Sequence, residues 1–109
     1  MKLRYNRPEE GVNIIKRQGD ILFIKLDKLP KGLKEQESKI LVYGEATGHA
    51  HRLQEGSVFT NKDGLLYLVL SKASKIVHEE HKPIKLEKGL WGVVRQREYH
   101  PEEIRTVID

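Results

Sequence analysis

The chain contains no cysteine. Disulfide frameworks and thiolate metal sites are therefore excluded, and any metal must be held by nitrogen and oxygen ligands. No stretch approaches the eighteen or so apolar residues that a membrane-spanning helix requires, which argues against a membrane partner. The opening residues, Met1 to Pro8, include no apolar core of the kind a secretory signal needs. These absences lead to the expectation of a cytoplasmic protein. There is no Ser-His-Asp spacing to support a hydrolase triad and no phosphate-binding glycine loop.

What is present is a chain of 109 residues, 38% hydrophobic and 33% charged. This length predicts one domain with a single modest core. The formal net charge is +4, but the 20 basic residues alternate with 16 acidic ones. Such mixing describes a solvated surface better than a nucleic-acid groove, although the excess favours polyanions mildly.

Residues 1–18 read as a polar lead-in, in which only Val12, Ile14 and Ile15 look buriable. Residues 19–109 read as a single β-rich domain. Gly19-Asp20 marks a turn before the apolar run Ile21 to Leu26, a strand with both faces covered. A charged loop over 31–38 follows, then strands over Ile40–Tyr43, His49–Leu53 and Ser57–Thr60. Asn61 to Gly64 is a hairpin turn into the apolar strand Leu65–Leu70. Further strands are expected at Lys75–His78, at Ile84–Leu86 and, longest of all, at Leu90–Tyr99, with Trp91 in the core. His100 to Ile108 has the signs of a short C-terminal helix, with Pro101 at its first position and Glu102 and Glu103 at the positive end of its dipole. Six or seven short strands with turns about every ten residues predict an all-β fold, a small jelly-roll or barrel-like domain.

Four of the five histidines are concentrated: His49 and His51 fall in one run, and His78 and His81 in another. On a strand, residues two apart project to the same side. His49 and His51 therefore present a two-nitrogen edge for a divalent metal such as Zn, Fe, Ni or Mn, to be completed by His78 and His81. Glu55, Glu79 and Glu80 stand by as alternative ligands or as partners that orient the imidazoles. His78-Glu79-Glu80-His81 is not the zinc-protease helix motif, because its histidines are three apart rather than four. In a straight strand only one of these two would face the first pair. Catalytic residues cannot be assigned, and whether the chain is an enzyme stays open. Without metal, the same groups would bind a small anion when protonated.

Gly44, His49, His51, Glu55 and Gly64 occur in the order of the first cupin motif, and the run resembles it. That resemblance implies a jelly roll with His49, His51 and Glu55 as metal ligands. The second cupin motif has a histidine after a Pro-x-Gly turn, whereas Gly89 here is followed by Leu90-Trp91-Gly92. The segments Thr47-Gly48-His49, His78 to His81 and Arg95 to Tyr99 also resemble a group of small prokaryotic and phage proteins without an established activity. The other functional reading is a nucleic-acid- or partner-binding module. Arg95 and Arg97 share a strand face with Tyr99, and these types hold phosphates and stack on bases.

Overall fold

The computed structural model describes residues 14–43 and 48–96. Ten strands run in chain order: β1 (Ile15–Gln18), β2 (Ile21–Leu26), β3 (Lys34–Gln36), β4 (Ile40–Tyr43), β5 (Ala50–Leu53), β6 (Ser57–Thr60), β7 (Leu66–Leu70), β8 (Ser74–Val77), β9 (Ile84–Leu86) and β10 (Gly89–Arg95). They form two antiparallel sheets, one ordered β1-β2-β10-β7-β6-β3 and the other β4-β5-β8-β9. The fold is all-β, as expected.

The unbroken apolar runs account for the larger sheet. Alternate residues of a strand face opposite sides, so β2, β7 and β10 each contribute to two clusters. Ile21, Phe23, Leu68, Leu70, Trp91 and Val93 point inward and meet Leu41, Leu53, Ile76 and Leu86 from the smaller sheet. The two sheets thus share one core. Ile24, Leu26 and Tyr67 form a second cluster with Leu29, Leu33, Leu90 and Val94. Trp91 is fully buried, and its indole N–H donates to the Glu87 carbonyl at 2.9 Å.

β2 pairs with β10 along six residues, Ile21↔Arg95 to Leu26↔Leu90. This brings the Gly19-Asp20 turn at the start of β2 to the end of β10. The hairpin from β6 to β7 turns as expected: Asn61 Oδ1 accepts from the backbone N–H groups of Asp63 and Leu65, both at 2.9 Å.

Three features depart from the sequence-based expectations. Ten strands are described rather than six or seven. Within the segment expected to be a loop, Lys34–Gln36 forms β3 against β6. A three-residue edge strand is held by backbone pairing and needs no apolar side chains, so hydrophobic periodicity gave no sign of it. The last four residues of the polar lead-in form β1, paired with β2. Ile14 and Ile15, which looked buriable, are exposed, while Gln18 is only 2% exposed. The helix expected over 100–108 and the end of the last strand beyond Gln96 lie outside the described residues.

β1 and β9 are edges of different sheets, and they lie side by side. The corner between them is where the histidines collect.

Candidate functional site

Each histidine reaches this corner by a separate local cause. His51 lies within β5 and points inward; it is 4% exposed. His49 immediately precedes β5 and is half-buried. β8 ends at Val77, so His78 to Pro83 is a bent connection rather than a straight strand. The Glu80 backbone N–H donates to His78 Nδ1 at 3.0 Å, folding the connection back on itself. Both His78 and His81 therefore reach the first pair, where strand alternation would have delivered only one.

The four imidazoles lie together. Ring centroids of His51 and His78 are 4.4 Å apart, and those of His78 and His81 are 4.6 Å apart. His51 and His81 are nearly parallel at 5.8 Å. His49 meets His78 edge-on, also at 5.8 Å. Gly19 forms the wall behind His81: a Cβ added there would lie 2.8 Å from His81 Nε2. The backbone of Gly19, at φ +63°, is also in the left-handed region that favours glycine.

Gln18 fixes the tautomer of His51 within this cluster, and sequence reasoning missed it. Its side-chain NH₂ donates to the carbonyls of Ile76 at 3.0 Å and Lys82 at 2.8 Å. Those two acceptors fix which end of the amide is nitrogen. Oε1 then faces His51 Nδ1 at 2.8 Å, so Nδ1 must carry the proton and donate. The lone pair of His51 is left on Nε2. In His78 the order is reversed: Nδ1 accepts from Glu80, so the proton of the neutral ring sits on Nε2. A single buried glutamine in a polar segment carries no periodic or motif signal. The only hint was its place before a Gly-Asp turn.

Burial pushes the His51 pKa from 6.5 down to about 4, with the nearby His78 and His81 acting in the same direction. Asp20 opposes this shift and Arg95 adds to it. His51 is therefore a neutral imidazole with an available lone pair across the physiological range, the form in which histidine ligates metals.

The carboxylates divide. Glu80 Oε2 lies 3.3 Å from His49 Nδ1, placing it at the cluster. Glu79 is turned away to Arg52, at 2.5 Å, and accepts from the Ala50 N–H at 2.9 Å. That backbone hydrogen bond first, and Arg52 second, hold its pKa down at about 2. Glu55 is not brought to the rings; its carboxylate is 3.3 Å from Lys72 Nζ. The ligand role that the cupin resemblance implies for Glu55 finds no counterpart in this placement. Of the alternative set, Arg95 lies 4.0 Å from Asp20, while Arg97 and Tyr99 lie outside the described residues.

Among the described residues, no three His, Asp or Glu side chains stand in an arrangement that holds a metal ion as placed. The Nε2 edge of His81 abuts Gly19, and Nδ1 of His78 is engaged by a backbone N–H. The four rings are packed against one another. His51 alone combines a fixed tautomer with a lone pair on its outer nitrogen. Also among the described residues, no helix is long and apolar enough to cross a membrane.

No curated protein and no solved structure matches the chain. A family model does match residues 17–96, a span that takes in Gln18, Gly19 and all four clustered histidines. The chain belongs to that family, described as a domain of unknown function, DUF8820.

Proposed function

We propose that this is a small cytoplasmic β-domain that binds a divalent metal ion through the imidazoles of His49, His51, His78 and His81. The observation that carries the reading is the Gln18–His51 pair. Metal-binding histidines usually donate their second ring N–H to a fixed acceptor, which sets the tautomer and raises ligand basicity. His51 has that arrangement at a buried position, with three further imidazoles beside it. Zn, Fe, Ni and Mn all accept nitrogen and oxygen ligands, and Glu80 would supply the oxygen. Binding would require His78 and His81 to turn from their packed positions, and His78 Nδ1 to exchange its backbone donor. A jelly-roll or barrel-like closure of the two sheets belongs to the same reading; the proximity of β1 and β9, edge strands of different sheets, supports it.

The test is calorimetric titration of the full chain with Zn²⁺, then Ni²⁺, Fe²⁺ and Mn²⁺, at neutral pH. One equivalent should bind with a Kd of about 1 μM or tighter, and His51→Ala should weaken it at least tenfold (about 1.4 kcal/mol). Wild-type protein that takes up none of the four metals would remove the reading. Undiminished affinity in His51→Ala would remove His51 as the anchor.

A further inference from the structure

A second feature lies between β4 and the facing ends of β7 and β10, and the histidine cluster does not use it. It is a cavity of about 350 Å³, within the size range of small-molecule sites. Leu41, Val42, Leu66 and Val93 form apolar walls, Tyr43 stands at the rim, and among the described residues Arg95 is the only charged one lining it. Arg95 has a weak claim on its charge elsewhere: Asp20 Oδ2 is 4.0 Å from Nη1, at the limit of an ion pair, and both side chains are substantially exposed. Among the described residues β4 is the edge of its sheet, and the cavity opens beside it.

We propose that this cavity binds a small monocarboxylate with a short hydrocarbon body, its carboxylate on Arg95 and its chain against Leu41, Val42, Leu66 and Val93. The planar guanidinium matches a carboxylate in a two-point hydrogen-bonded pair. The walls repay burial of hydrocarbon at about 25 cal/mol per Å². A phosphate monoester fits less well, because its second negative charge would have no partner on an apolar wall. A base or sugar would bury polar groups against aliphatic side chains at similar cost.

Ligand binding itself does not rest on the metal reading, so the experiment is run metal-free.

The experiment is an NMR titration of the full chain with hexanoate, hexan-1-ol, hexylamine and inorganic phosphate. Hexanoate should shift the backbone amides of Val42, Leu66 and Val93 with a Kd of about 1 mM or tighter. Hexylamine and phosphate should bind at least about tenfold more weakly than hexanoate. Arg95→Gln should weaken hexanoate by about tenfold or more and leave hexan-1-ol unchanged. Val42→Phe, which fills the cavity, should weaken both. Absence of hexanoate shifts, equal binding of hexanoate and hexylamine, or full hexanoate affinity in a folded Arg95→Gln would each overturn the proposal.

Discussion

Gln18 shows how much one buried polar side chain can determine. It makes three hydrogen bonds, two to carbonyls of the smaller sheet's loop and strand and one from His51. Removing it leaves the Ile76 carbonyl and His51 Nδ1, at buried positions, without this partner, and each such orphan costs about 1–3 kcal/mol. Gln18→Ala should therefore destabilise the fold by roughly 2–4 kcal/mol, measured by urea denaturation. A loss under about 0.5 kcal/mol would show that water replaces the amide without penalty. Gly19 makes a second residue-scale prediction. Gly19→Ala meets both an unfavourable φ and the ring of His81, and should cost about 1–3 kcal/mol. In a His81→Ala background only the backbone part should remain, so the double mutant should be less destabilised than the sum of the singles. Simple additivity would mean that His81 does not press on Gly19 in solution. Gln18 did not stand out in the sequence, because a glutamine in a polar lead-in has no pattern to break, and Gly19 was legible only as part of a turn. The four histidines did stand out, because their clustering in two short runs is visible without any fold.

At the scale of the element, the bent connection after β8 and the corner between β1 and β9 decide how the protein responds to pH. Burial, with His78 and His81 beside it, holds His51 neutral, and Gln18 fixes its proton on Nδ1. Its folded pKa, about 4, lies below its ordinary value of 6.5. Between these values the unfolded chain binds the extra proton more readily, so stability rises with pH across the window and is lost as pH falls from about 6.5 to about 4. The loss approaches 1.4 kcal/mol per pH unit inside the window, roughly 1–3 kcal/mol in total. The charged and titratable groups facing His51 are His78, His81, Asp20 and Arg95, with His49 and Glu80 beyond them. Glu79 acts separately: its depressed pKa stabilises the fold above the ordinary 4.5, and that contribution fades as pH falls toward about 2. Chemical denaturation of wild type and His51→Gln from pH 7 to pH 4 tests the first window. The variant should show a distinctly shallower slope, and matching slopes would assign the acid sensitivity to other groups. Strand existence was legible wherever apolar residues ran together or alternated, as in β2, β7 and β10. β1 and β3 were not legible, because edge strands held by backbone pairing can be polar throughout.

At the scale of the molecule, the described residues form two antiparallel sheets around a shared core of aliphatic and aromatic side chains, with four imidazoles at one corner and a cavity carrying Arg95 beside β4. A metal bound to the folded state and not to the unfolded chain adds stability in proportion to its concentration. At a free Zn²⁺ concentration a hundred times Kd the gain is about 2.7 kcal/mol, which should raise Tm by roughly 10 °C. A chelator should reverse the shift, and Glu55→Ala should leave it unchanged, because Glu55 is engaged by Lys72. A chelator-insensitive Tm would count against the metal reading, and loss of the shift in Glu55→Ala would return that residue to the site. By itself the sequence determined the class of the fold, the positions of the long strands, the exclusion of thiolate chemistry and the set of histidines in play. Those properties are local: they follow from composition and from the two-residue period of a strand. Only the tertiary structure decided that both histidine runs meet, that Glu55 and Glu79 turn elsewhere, and which nitrogen of His51 keeps its lone pair. These depend on where a loop bends and on which carbonyls face a glutamine across two sheets, contacts between residues up to 64 positions apart that no local pattern encodes.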